Sequence, residues 1–229
     1  MQKRKPFNIA IDGPAGAGKS TIARMVAKQL GFIYVDTGAM YRAMALYFLR
    51  QGIGPDDEAA IGEACADADI TICYQEGAQQ VILNGENVSG LIRTEEVGNM
   101  ASATSVYPAV RAHLLALQRG LAASADVLMD GRDIGTCILP QADAKIFLTA
   151  STQVRAQRRY KELTEKGVAC NLAEIEQDII ERDQRDMNRE TAPLKQAEDA
   201  VLLDSSNMTI TEVIEAIIAV AKSRGLAAG

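Results

Sequence analysis

Eight residues, Gly13-Pro14-Ala15-Gly16-Ala17-Gly18-Lys19-Ser20, fill the G-x-x-x-x-G-K-[ST] template of a phosphate-binding loop, and their flanks supply the context the template requires. Before them Asn8-Ile9-Ala10-Ile11-Asp12 is short, apolar and β-prone, and after them Ile22, Val26 and Leu30 recur at helical spacing until Gly31 offers a stop. Strand, glycine loop and helix in that order constrain the chain to an α/β arrangement. Backbone N–H groups curl around an anion there, and the helix offers the same anion its positive end. The residues expected to hold ATP phosphates are therefore Gly13, Pro14, Ala15, Gly16, Ala17, Gly18, Lys19, Ser20 and Thr21. Lys19 would reach the β- and γ-phosphates, Ser20 would ligate Mg²⁺ through its hydroxyl, and Thr21 would pack or add a phosphate contact.

Further β-like stretches at Ile33–Asp36, Val127–Asp130, Ile146–Thr149 and Val201–Asp204, mostly separated by helical patterns, make five in all and predict a parallel sheet. Two end in polar residues, Asp36-Thr37-Gly38 and Asp130-Gly131-Arg132-Asp133, at the carboxyl edge where ligands of such sheets bind. Between about Ala64 and Ser102 the rhythm changes: Ile70–Tyr74 and Val81–Leu83 flank a Gln/Gly-rich turn, and Asn84-Gly85 offers another. This predicts a small antiparallel insert, the alternative being an edge of the main sheet. A last helix carries Ile210, Val213, Ile214, Ile217, Ile218 and Ala221 on one face, with a Thr209-x-x-Glu212 capping box, and Gly225 to Gly229 is expected to fray.

The 229 residues, 48% of them hydrophobic, suffice for one large domain or a core domain with an insertion. With 24 Lys plus Arg against 30 Asp plus Glu and no long basic run, nucleic acid is not an expected partner. The basic start Met1–Lys5 is followed by an apolar stretch that Asp12 interrupts, and the run Ala216–Ala221 is too short to span a bilayer, so a cytoplasmic protein without a membrane role is expected. Cys65, Cys73, Cys137 and Cys170 have no C-x-x-C spacing and are expected as reduced thiols. His113, the one histidine, is expected to pack or face solvent rather than ligate a metal.

The run Asn171–Arg189 reads as a helix whose inward stripe begins Leu172, Ile175, Ile179 and continues Arg182, Asp186, Arg189. Charges on a core-facing stripe point to a site, against the plainer alternative of a solvated Arg182–Asp186 pair. Arg42, Arg111 and Arg132 add guanidinium groups suited to a second phosphate-bearing ligand. Arg155, Arg158 and Arg159, at i, i+3 and i+4 before Lys166 and Gly167, read as a lid over a transferring phosphoryl group or as a solvated helix face.

Four blocks in order resemble bacterial cytidylate kinases, nucleoside monophosphate kinases of the P-loop superfamily. They are Asp36-Thr37-Gly38-Ala39-Met40-Tyr41-Arg42, Val88 to Val97, Asp130-Gly131-Arg132-Asp133-Ile134-Gly135-Thr136 and Glu181 to Arg189. The resemblance implies a single P-loop domain over 1–229, a three-layer fold with a central five-stranded parallel sheet. It adds a lid at 155–169 and a monophosphate-binding insert at 64–102. It implies phosphorylation of CMP or dCMP by ATP with Mg²⁺, in pyrimidine nucleotide metabolism, by a monomer. Lys19 and the arginines Arg155, Arg158 and Arg159 would be catalytic. Arg42, Arg132 and Arg189 would hold the acceptor's phosphate, Arg182 and Asp186 its sugar, and Thr37, Ser102, Arg111 and Asp133 its cytosine. Asp133 suits the cytosine N4 donor and Arg111 its N3 and O2 acceptors. Thr37 stands where some relatives have serine, and Ser20 where some have glycine. The loop and lid alone leave other acceptors open, including UMP, AMP and shikimate, and a nucleotide-dependent switch is the rival from another class.

Overall fold

The computed structural model describes residues 4–227; the basic start at Met1–Lys3 and the tail's last two residues, Ala228 and Gly229, lie outside them. Five strands, β1 (Asn8–Asp12), β2 (Ile33–Asp36), β6 (Val127–Gly131), β7 (Ala144–Thr149) and β8 (Val201–Asp204), form a sheet in the order β2-β6-β1-β7-β8. The pairings of β1 with β6 and β7, and of β7 with β8, are parallel. Ile9, Ala10 and Ile11 of β1 are wholly buried, which is why this central strand reads as a continuous apolar run without alternation. Two strands after the insert run one or two residues beyond their expected ends, β6 to Gly131 and β7 from Ala144, while β8 keeps the expected bounds.

The chain divides into two compact units. One runs to Tyr34 and resumes at Ala125, and the other is Val35–Ser124. In the first, α1 (Lys19–Leu30) presents Ile22, Ala23, Val26 and Ala27, and α8 (Ile210–Ser223) presents Val213, Ile214, Ile217, Ile218 and Ala221, to a core shared with Ile9, Ile11, Leu128, Ile146 and Leu148. Each buried Ile or Leu contributes about 1.5–3 kcal/mol over its exposed state, so this face is a large part of the unit's stability. The Thr209–Glu212 capping box forms as expected, but Ile210, in the first turn, is 52% exposed and does not join the stripe. Nor does the described part of the tail fray: Gly225 turns the chain at φ 98 and the Leu226 N–H bonds the Ala221 carbonyl, returning Leu226 to the core. Between β7 and β8 lie α6 (Thr152–Glu165) and α7 (Leu172–Asn188).

The second unit holds α2 (Thr37–Arg50), α3 (Glu58–Ala64), α4 (Glu95–Thr104), α5 (Pro108–Ser124) and a separate antiparallel sheet of β3 (Ile70–Gln75), β4 (Ala78–Leu83) and β5 (Glu86–Asn87). That sheet is not an edge of the parallel one. Its turns, Glu76-Gly77 and Asn84-Gly85, have positive φ at both residues, the two-residue geometry that suits the twist of a hairpin. Met40, Met44, Phe48, Ile61, Leu83, Ile92 and Leu114 are fully buried.

Candidate active site

The phosphate-binding loop is held against the sheet where no side chain fits. A Cβ on Gly13 would lie 1.9 Å from the Leu148 carbonyl oxygen of β7, so only glycine permits this approach. The Lys19 ammonium donates to the Pro14 carbonyl at 2.7 Å and is buried. Burial, with the Arg132 guanidinium adding repulsion, pushes its pKa well below the ordinary lysine value against the pull of Asp130, Asp12 and Asp186. The Ser20 hydroxyl donates to Asp130 Oδ2 at 2.9 Å while the Tyr34 hydroxyl donates to Oδ1 at 2.9 Å, so Asp130 holds Ser20 in a fixed orientation. Thr21 beside it is exposed rather than packed.

At the carboxyl end of β1, buried Asp12 accepts 2.7 Å bonds from the backbone N–H groups of both Ile134 and Gly135. It thereby pins the turn that follows Arg132 and Asp133. Burial raises its pKa to about 6, the two amide bonds and Lys19 only partly opposing that and nearby Asp133 reinforcing it.

A second cluster in the same unit gathers residues from β6's end and α7. Arg132 Nε donates to Asp186 Oδ2 at 2.9 Å, and Arg189 Nη2 lies 3.7 Å from Asp133 Oδ1, all four side chains being at least half buried. Burial alone would raise the Asp186 pKa, but Arg132 by charge and hydrogen bond, then Arg189 and Arg182, bring it below the usual carboxylate value. Three guanidinium groups thus accompany two carboxylates, a net positive cluster of planar donors that suits a phosphate ester and a sugar. The helical stripe was nearly legible. Its start is corrected, since Leu172 is 39% exposed, and the sequence reading passed over Asp183, which is buried beside Arg182.

Arg155 is not on a solvated face. It is 4% exposed and spans three elements: Nε donates to Ala150 O at 2.9 Å, Nη1 to Ala15 O of the loop at 2.8 Å, and Nη2 to Thr152 Oγ1 at 3.2 Å while pairing with Asp183 Oδ2 at 2.6 Å. Farther along α6 the other two arginines are exposed. Arg158 donates to the Ser205 hydroxyl and carbonyl, and Arg159 pairs with Glu162 at 3.0 Å.

In the second unit, Asp36 caps α2 by accepting from the Ala39 N–H and pairs with Arg42 at 3.3 Å, so the helix's first two turns carry both Thr37, which is buried, and Arg42. The Gln79 side chain of β4 brackets Asp36, its Oε1 accepting from the Asp36 N–H at 2.8 Å and its Nε2 donating to the Asp36 carbonyl at 3.2 Å. Arg111 lies over the Tyr41 ring at 5.8 Å and donates to the Ser105 carbonyl, one turn past Ser102 on α4. His113 is bonded through Nε2 to the Ala68 carbonyl at 2.8 Å, a packing role as expected.

Among the described residues no group of three or more His, Cys, Asp or Glu side chains is arranged to hold a metal, the four cysteines form no disulfide, and no helix is long and apolar enough to cross a membrane. Asp130 and Asp12 had a sequence signal, an acidic residue closing an apolar strand. Gln79 and Asp183 had none, because their partners are set by the fold.

The model of the cytidylate kinase family matches residues 9–223. A cytidylate kinase of Geobacter sp. (strain M21) is 48% identical over 216 residues, 94% of this chain and 93% of its own. One of Alkaliphilus metalliredigens (strain QYMF) is 50% identical over 219 residues, 95% and 98% of the two chains. One of Geobacillus sp. (strain WCH70) is 46% identical over 221, 96% and 99%. Among solved structures, a gluconokinase from Sinorhizobium meliloti 1021 aligns with 96% of this chain and 94% of its own at 14% identity, with a TM-score of 0.48.

Proposed function

The chain belongs to the cytidylate kinase family, and on that premise we propose a division of labour for moving the γ-phosphoryl group of ATP to CMP or dCMP. The backbone of Gly13–Gly18 and the Lys19 ammonium take ATP's phosphates. Ser20 and Asp130, hard oxygen donors already bonded to each other, fit a Mg²⁺ ion, which when bound neutralises phosphate charge. Arg132 and Arg189 hold the acceptor phosphate, Arg182 and Asp186 its sugar, and Asp133 the cytosine N4 amino group. Arg42 for the phosphate, and Thr37, Ser102 and Arg111 for the base, are assigned on the resemblance of their sequence blocks.

An oxygen of the acceptor phosphate attacks the γ-phosphorus. The new O–P bond forms as the bond to the β,γ-bridging oxygen breaks, and its electron pair leaves on ADP. The nucleophile is already anionic at neutral pH, so no general base is required, and the acceleration comes from positioning and charge stabilisation. Held by three hydrogen bonds and an ion pair, Arg155 acts on the loop, whereas exposed Arg158 and Arg159 are the ones that rearrange toward the transferring group. The lid is then 155–169, α6 from its fourth residue and the turn after it, the monophosphate-binding insert is 64–102, and the enzyme works as a cytoplasmic monomer.

One observation supports the reading: the end of β6 serves both sites, Asp130 accepting from Ser20 of the loop at 2.9 Å and Arg132, two residues on, donating to Asp186 at 2.9 Å. The test is coupled ADP formation from Mg-ATP with CMP, dCMP, UMP, AMP and shikimate, with product identification and a no-acceptor control. CDP and dCDP as the dominant products support it; preference for any other acceptor overturns the base assignment.

A further inference from the structure

Arg155 has five N–H donors; the fold engages three of them, on the carbonyls of Ala150 and Ala15 and the Thr152 hydroxyl, and its Nη2 pairs with the Asp183 carboxylate. Such a residue is a fixed bracket. What it brackets is informative. Ala15 is in the phosphate-binding loop, next to Pro14, whose carbonyl holds Lys19. Contact continues one residue on, since a Cβ on Gly16, itself at φ +74, would meet the Arg155 Cβ at 3.4 Å. On the other side, Asp183 belongs to α7, between Arg182 and the inward-facing Asp186 one helical turn later. The second carboxylate oxygen of Asp183 is buried with no hydrogen-bond partner, so its charge rests on Arg155.

From these contacts we propose that the buried Arg155–Asp183 pair is a positioning device that couples the two substrate sites, transmitting the position of the ATP-holding loop to the helix that holds the acceptor. The inference rests on the assignment of Arg182 and Asp186 to the acceptor. The route is contiguous: loop carbonyl Ala15, Arg155, Asp183, then through one turn of α7 to Asp186, which pairs with Arg132. A loop drawn onto phosphate moves the Ala15 carbonyl, and the guanidinium bonded to it cannot follow without carrying Asp183. Occupation of the loop therefore favours one placement of α7, the placement in which the acceptor binds more tightly, and linkage requires the reverse effect to be equal. Asp183 touches neither substrate in this scheme. Its carboxylate acts through Arg155.

The experiment measures the calorimetric affinity of CMP with and without saturating Mg²⁺ and a non-hydrolysable ATP analogue, and of the analogue with and without CMP. Wild type is expected to show a factor of about 5 to 100, the same in both directions. Asp183→Asn, which removes the charge but keeps the shape, should bind each ligand alone within about 3-fold of wild type yet reduce the factor to below about 2. Arg155→Lys, which keeps the charge but cannot fork across carbonyls and carboxylate, should do the same and carries the test if Asp183→Asn melts below the assay temperature. A role in stability alone would lower the melting temperature and leave the factor intact, so a folded variant of either kind with the wild-type factor overturns the proposal. A wild-type factor of one overturns it while sparing the acceptor assignment, whereas wild type that binds the analogue but never CMP brings down that assignment and the coupling with it.

Discussion

The loop end and the α7 end of the first unit are both buried and both crowded with ionisable groups, yet burial acts on them in opposite ways. At the loop, Lys19 and Asp12 face chiefly backbone partners, the Pro14 carbonyl and the amides of Ile134 and Gly135, and burial pushes each toward its neutral form. At α7, Asp186 is held ionised by Arg132, Arg189 and Arg182 despite burial. Backbone dipoles only partly repay the desolvation of a charge; an opposite full charge at hydrogen-bond distance repays it. The loop end therefore gains stability from a polyanion that offsets the desolvation of the Lys19 ammonium, while the α7 end keeps its charges paired and offers a rigid template.

Lys19→Ala gives the largest expected effect on this contrast, because it removes the buried cation of the loop itself. A kcat loss of about 10³-fold is expected, the scale of one preorganised electrostatic partner in a transition state, with melting temperature unchanged or raised since a buried ammonium is lost. Near-normal turnover would remove Lys19 from the mechanism. Next is Asp133→Ala at the α7 end. A charge-assisted hydrogen bond to the base contributes about 1.5–3 kcal/mol, so the ratio of kcat/KM values for CMP over UMP should fall by about 10²-fold. An unchanged ratio would leave Asp133 as a partner of Arg189 only.

The two buried carboxylates permit a sharper comparison through pH. Asp12 is raised to about 6, so in the fold it holds its proton longer than in the unfolded chain, and its contribution is fully present below about pH 4 and lost as pH rises through 6. A raise from 3.8 to about 6 corresponds to roughly 3 kcal/mol across that window. Asp186, depressed, slopes the other way: its contribution is present above about pH 4 and lost as pH falls through its folded value. Denaturant unfolding of Asp12→Asn between pH 4 and 7 should lack the declining component seen in wild type. If the slope survives, the titrating group lies elsewhere. Protonation of Asp12 also removes one acceptor from the turn after Asp133, so kcat/KM for CMP should fall below pH 6 in wild type.

How much of this was legible before folding depends on whether a contact is local. The loop, its strand and helix, the hairpin turns and the capping box are decided within a few residues, and each reads directly from spacing and side-chain chemistry. Arg182, Asp186 and Arg189 were legible because a helix interrupts its own apolar stripe to place them. The solvated-face alternative fails for Arg155 but not for Arg158 and Arg159, because i, i+3 and i+4 spacing tells which residues are neighbours and not which of them meets another segment. Its partners are 140 positions away at Ala15 and on a different helix at Asp183. Gln79 is the same case, an amide in a polar hairpin whose use is fixed by where Asp36 arrives.

The exposed arginines set the lower bound of the comparison. Arg159 and Glu162 are about half exposed, and a surface pair of this kind is worth about 0–1 kcal/mol because water screens it and two long side chains must be ordered. Arg159→Gln should leave the melting temperature within about 1–2 °C of wild type, so any change in turnover reports on chemistry alone. If the residue swings toward the transferring phosphoryl group, kcat falls several-fold while the KM for CMP is unchanged, since the contact exists only in the transition state. An unchanged kcat would place the charge-balancing role on Arg158. A matched rise in the KM for ATP without loss of kcat would mean that Arg159 merely attracts the nucleotide, the uniform binding of a long-range charge, and the effect would then vanish in 0.5 M salt, where screening reaches within about 4–5 Å.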